Sequence, residues 1–262
     1  MCRLILIIGN INIEYINKFL NQSINKKNTP YLDSKYDVDY HKNGFGLSWI
    51  DKKKWIIYKL EKCFTEDKNI KYIINNIKSE ILVGHIRAIN NNTKQTYFNT
   101  HPFQFNNNIW CHNGSISKLE IFKEESKNII NENLLKFING NTDSEYLFYF
   151  FLSIYTKKET LNYSELDKLI NTTIEFFSIL NKKKYRISAN IIFSNENNTL
   201  ITRFVNVKNN AAPSLYENYI NDTILISSEP ILEKFKLINN NTAIIYDSKR
   251  KKFILNLKLN KI

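Results

Sequence analysis

Short apolar runs bounded by turn residues occupy both ends of this 262-residue chain, and segments with helical spacing lie between them. Such an order gives an α+β fold with packed antiparallel sheets and clustered helices. At the start, residues 2–8 read as a buried strand closed by Gly9 and Asn10, and residues 13–20 as a helix. Two apolar segments around Asp51 to Lys54 form a hairpin. A helix is predicted over 67–78 and a strand over Ile81 to Ala88. Trp110 to Gly114 reads as a strand ending in a turn. Thr142, followed three residues later by Glu145, is a capping box, so a helix begins there with Asp143 in its first turn. Ser164 to Leu180 gives another helix. Strands follow over 186–194, 199–207, 223–228, 242–246 and 253–257.

No Pro/Gly/Ser-rich linker divides the chain, which is expected to form one domain over 2–262. No apolar run reaches the ~18 residues a membrane span needs, and the short run Leu4 to Ile8 is not a signal-peptide core. A cytoplasmic protein is expected, with no membrane partner. Cys2, Cys63 and Cys111 are odd in number and lack C-x-x-C spacing, so neither a disulfide framework nor a zinc knuckle is indicated. The net charge of +12 is spread over lysine runs that read as turns between strands. No nucleic-acid-binding motif accompanies it, so no nucleic-acid partner is expected.

Cys2 directly follows Met1. Removal of Met1 would give one residue carrying both a thiol and a free α-amine, a nucleophile together with its base. Elsewhere the rare residues cluster. The chain has only six glycines, and three of its four histidines, His85, His101 and His112, fall between residues 84 and 114. No H-E-x-x-H occurs, and Cys111 and His112 point to opposite faces of a strand, so no metal is expected.

Gly84-His85-Ile86-Arg87-Ala88, Asn99-Thr100-His101-Pro102-Phe103, His112-Asn113-Gly114-Ser115-Ile116 and Thr142-Asp143-Ser144-Glu145, in that order behind Cys2, resemble the class II glutamine amidotransferases, which are N-terminal nucleophile hydrolases. Asn43 to Trp49 is similar to that family's Asp-Gly-Trp-Gly segment. Thr202-Arg203-Phe204, Pro213-Ser214-Leu215-Tyr216 and Ser227-Ser228-Glu229-Pro230 are similar to later segments of its stand-alone members. Those members include hydrolases of γ-glutamyl compounds in glutathione breakdown and thiol-histidine biosynthesis.

The resemblance implies a four-layer αββα sandwich, no cofactor and a small-molecule γ-glutamyl substrate. Cys2 would be the nucleophile. Arg87 would hold the substrate α-carboxylate through a bidentate pair, and Asp143 would pair with its α-ammonium. Asn113, through its side-chain amide, and Gly114, through its N–H, would form the oxyanion hole. His101 would support the pocket by hydrogen bonding rather than act as general base. Other readings of single residues stay open: Arg87 as a structural ion-pair arginine, Asp143 as a helix N-terminal charge, and Asn113-Gly114 as a tight turn.

Three departures from the family pattern stand out: Ile89-Asn90 after Arg87-Ala88, Asn43 in place of an acid, and Asn195 after Ser194. The leading expectation is a self-contained hydrolase, since the chain reads as ending with its hydrolase domain. A glutaminase subunit serving a separate synthase partner, and a silent binding protein that keeps the fold, are the alternatives.

Overall fold

The structure, a computed structural model, describes residues 2–24, 41–88, 95–158 and 161–257. Two units divide the chain: Met1–Asn113 with Pro213–Ile238, and Gly114–Ala212 with Asn239–Ile262. In chain order, the first unit holds β1 (Arg3–Ile8), α1 (Ile13–Asn21), β2 (Phe45–Asp51), β3 (Lys54–Leu60), α2 (Ile70–Asn75), β4 (Ile81–Ile86) and β5 (Phe103–Phe105). Then comes β6 (Asn108–Ile116), which carries the boundary between the units. The second unit continues through α3 (Leu119–Lys127), α4 (Glu132–Leu135), α5 (Asp143–Lys157), α6 (Glu165–Asn181), β7 (Ile187–Ser194) and β8 (Thr199–Arg203). β9 (Tyr216–Ile220), β10 (Thr223–Ser227) and β11 (Lys236–Leu237) return to the first unit, and β12 (Thr242–Tyr246) and β13 (Lys252–Asn256) to the second.

In the first unit a seven-stranded sheet runs β11-β9-β10-β1-β4-β2-β3, with β1 in the middle and antiparallel to both β4 and β10. A central strand buried on both faces needs an unbroken apolar run, which Leu4 to Ile8 supplies. One face carries Ile5, Ile7, Leu47, Leu82 and Leu225, and α1 covers it with Ile16, Phe19 and Leu20. The approach of α1 is close enough to require a glycine beneath it. A Cβ on Gly84 would lie 2.7 Å from the Ile5 side chain and 2.9 Å from the Phe19 ring. The predicted hairpin is present as β2 and β3, and Lys52 and Lys53 both take positive φ between them (47° and 63°), the geometry of the tight turn that twist favours.

The second sheet has the order β13-β12-β8-β7-β6-β5. β7 pairs antiparallel with β8, β8 with β12, and β12 with β13. In the second unit, aromatic side chains join α5 and α6 to this sheet. Phe151 meets Phe176 and Phe193 at 5.3 and 4.9 Å between ring centroids, and Phe177 meets Phe204 at 4.7 Å. The capping signal placed the start of α5 correctly: Thr142 Oγ1 accepts the Glu145 N–H at 3.4 Å. The Glu145 carboxylate reaches further back, accepting the N–H groups of Asn139 (2.9 Å) and Gly140 (2.7 Å). Asn195, one of the departures, turns the chain between β7 and β8 by accepting the Asn197 and Asn198 N–H groups at 2.9 and 2.7 Å.

Two expectations are corrected. The strand predicted to end in a turn at Gly114 continues to Ile116, and neither Asn113 nor Gly114 has a positive φ. The Asn-Gly pair is therefore strand interior, not a tight turn. The helix expected over 67–78 shrinks to α2. Among the described residues no helix is long and apolar enough to cross a membrane.

Candidate active site

Cys2 lies one residue before β1, at the edge of its pairing with β4. Its Sγ meets the main chain just past the end of β4. The Ala88 N–H donates to it at 3.5 Å, and it lies 3.7 Å from the Ala88 carbonyl as donor. That segment is itself held by the residues before β2: the Arg87 N–H donates to Gly44 O at 2.8 Å, and Asn43 N–H donates to Arg87 O at 3.2 Å. Asn43, the residue that replaces an acid, is thus tied to Arg87 through its backbone.

Arg87 is buried, and burial pulls its guanidinium below its ordinary value while the neighbouring Cys2 opposes that shift. A buried cation stabilises an anion that approaches it.

His85 lies in β4 opposite Leu4 of β1 and Gly46 of β2. Its ring packs against that of His101 with centroids 4.0 Å apart and planes 30° apart, and His101 packs in turn against Phe103 at 4.5 Å with planes 56° apart. Burial pushes both imidazoles well below the usual histidine value, His85 further through Arg87 and His112, and His101 further through His85, His112 and Arg87. Both rings are neutral at pH 7.

His101 was expected to act by hydrogen bonding. Its ring nitrogens meet no hydrogen-bond partner among the described residues, and its ring is held by packing against His85 and Phe103. Its main chain is fixed from two sides. Lys59 Nζ donates to Thr100 O at 2.8 Å and Pro102 O at 3.3 Å. On the other side the His101 carbonyl presses on Gly46, where a Cβ would lie 2.1 Å from the oxygen.

His112 and Asn113 are buried in β6, and Asn113 ends the first stretch of the first unit. Gly114 and Asp143 belong to the second unit. There the Asp143 carboxylate accepts the Ile116 N–H at 3.2 Å and the Ser144 hydroxyl at 3.2 Å. Ile89 and Asn90, the departure nearest the site, lie outside the described residues, as does Met1. All three cysteines are free, and burial raises the Cys111 thiol well above its ordinary value, which suits a packed residue and not a nucleophile.

One feature next to Cys2 escaped the sequence reading. Arg3 donates through Nη1 to the Cys2 carbonyl at 3.3 Å and forms a buried ion pair through Nη2 with Glu229. An arginine in an otherwise apolar strand demands such a partner, and that was the available signal.

A family model described as class II glutamine amidotransferases matches residues 16–207. Cys2 and β1 lie before the matched span. The chain is 24% identical to the probable glutamine amidotransferase DUG3 of Saccharomyces cerevisiae, covering 82% of this chain and 67% of that protein. Among solved structures, the glutamine aminotransferase class-II domain protein from Silicibacter pomeroyi aligns with a TM-score of 0.66 at 17% identity, covering 98% of this chain and 100% of that one. The glutamine phosphoribosylpyrophosphate amidotransferase from B. subtilis aligns with a TM-score of 0.66 at 16% identity, and the match takes up 99% of this chain but 50% of that one. These likenesses show the fold, the expected α+β sandwich.

Proposed function

The chain belongs to the class II glutamine amidotransferases, and on that premise we propose that it hydrolyses γ-glutamyl amides with Cys2 as its nucleophile. In this reading Met1 is removed and the Cys2 α-amine, with an ordinary pKa of roughly 7.7–8.0, takes the thiol proton directly or through water. Arg87 clamps the substrate α-carboxylate, and Asp143 pairs with its α-ammonium. The γ-carbonyl is thereby held over the sulfur.

Attack gives a tetrahedral oxyanion held by the Asn113 amide and the Gly114 N–H. Collapse breaks the C–N bond, and the leaving nitrogen takes the proton from the Cys2 amine and departs as ammonia or an amine. Water, deprotonated by the same amine, then cleaves the thioester and frees glutamate and the thiol.

The observation that supports this reading is the contact of Cys2 Sγ with the Ala88 N–H, one residue after the buried Arg87. The printed name of the yeast relative, a probable glutamine amidotransferase, supports a second reading, a glutaminase that passes ammonia to a separate synthase. Glutamate release from glutamine, glutathione and other γ-glutamyl amides, measured beside Cys2→Ala, tests the proposal. Release lost in the variant supports it; equal release by both overturns it. No release until a partner is added supports the second reading.

A further inference from the structure

We propose that the buried Arg3–Glu229 ion pair is a positioning device for the nucleophile, an inference that rests on the reading of Cys2 given above. Cys2 lies beyond the strand pairing: the β1–β4 ladder begins at Arg3 with Ile86, and the β1–β10 ladder at Ile5 with Ser227. The residue that carries both the thiol and the amine therefore has no ladder to hold it. It is tethered on two sides. Ala88 meets its sulfur, and Arg3 Nη1 holds its carbonyl, which restrains rotation about the Cα–C bond of the residue that bears the thiol and the amine.

Arg3 is itself anchored. Its Nη2 pairs with the Glu229 carboxylate, and both residues are buried, at 5% and 4% exposure. The corner that bears Glu229 is pinned from three directions. Ser228 exchanges hydrogen bonds with Leu4, accepting its N–H through Oγ at 2.8 Å and donating to its carbonyl at 3.0 Å. Ser214 Oγ donates to Ser228 O at 2.8 Å, and Gln22, the residue closing α1, donates to Glu229 O at 3.4 Å. A planar guanidinium fork spans both partners at once, which an ammonium does not do.

Stability gives little reason to keep such a pair. Burying two charges carries a large desolvation cost, and well-packed apolar replacements are often as stable or more so. Burial raises the Glu229 carboxyl while Arg3 pulls it back, so each charge depends on the other. What the pair supplies is a fixed geometry at Cys2, and a misplacement of about 1 Å at a reacting atom costs on the order of 10²-fold in rate.

The test is the double substitution Arg3→Met with Glu229→Leu, which removes both charges and leaves neither buried alone. Single variants that leave one charge unpaired are prone to unfold, so the double variant decides. It is expected to melt cooperatively near the wild-type temperature. Its kcat for glutamate release is expected to fall at least tenfold with KM within threefold, because the groups that bind the γ-glutamyl moiety are untouched. Arg3→Lys, which keeps the charge without the fork, should also lose kcat selectively. Wild-type kcat in the double variant would overturn the inference and make the pair purely structural, as would a rise in KM at constant kcat. If the wild type released no glutamate from any γ-glutamyl amide, the underlying reading would fail first and this inference with it.

Discussion

Acidifying the protein from pH 7.5 to pH 5.5 is expected to destabilise it through His85 and His101. Both rings are buried against each other, and they share their surroundings with Arg87, His112, His41 and Lys59, so the folded protein resists charging them. Their folded pKa values lie well below the ordinary histidine value of about 6.5, so the unfolded chain takes up protons first. The sign follows: stability is intact above pH 6.5 and is lost as pH falls through it. A histidine that stays neutral when folded weakens folding by RT ln(1 + 10^(6.5 − pH)), about 0.06 kcal/mol at pH 7.5 and about 1.4 kcal/mol at pH 5.5. For the pair the loss is about 2.7 kcal/mol, a large part of the ~5–15 kcal/mol that a typical protein has in all. Urea unfolding at the two pH values measures it. His101→Phe keeps a ring to pack against His85 and removes one titrating group, so its loss should fall to about half. An equal loss in wild type and variant, or none in the wild type, would refute the assignment of buried neutral imidazoles.

Gly46→Ala puts a methyl group against the His101 carbonyl, a main-chain atom that cannot swing aside. It should destabilise the protein by about 1–3 kcal/mol in thermal or urea unfolding. Arg87→Lys keeps the charge and loses the fork, so KM for γ-glutamyl substrates should rise by roughly ten- to a hundredfold, the equivalent of ~1.5–3 kcal/mol. Asn113→Ala should lower kcat by about 10²- to 10³-fold with a small effect on KM, since the donor it removes serves the oxyanion. Steady-state kinetics separate these last two.

The elements legible in the sequence were those whose signal is local. β1 showed itself because a strand buried on both faces must be apolar throughout, and α5 because Thr142 and Glu145 mark a helix start. Asn113-Gly114 misled because the same dipeptide that favours a hairpin turn also fits a strand, and pairing over the whole of β6 decided the matter. α3 went unread because its charges Glu120, Lys123, Glu124, Glu125 and Lys127 hide a buried face that includes Phe122 and Ser126. In the site, the motifs that hold Cys2, Arg87 and His101 were visible in order, whereas their supports were not. The His85–His101 ring contact, the press of His101 on Gly46 and the Arg3–Glu229 pair all join residues from different strands or loops. No spacing rule marks such contacts in advance.

The central claim is that a processed N-terminal Cys2 forms a γ-glutamyl thioester. Acid quenching during glutamine turnover, followed by intact mass measurement and peptide mapping, tests it most directly. The account predicts a chain without Met1 that carries a γ-glutamyl adduct on Cys2 and on no other residue. Turnover by a chain that retains Met1, or an adduct at Cys63 or Cys111, would contradict it.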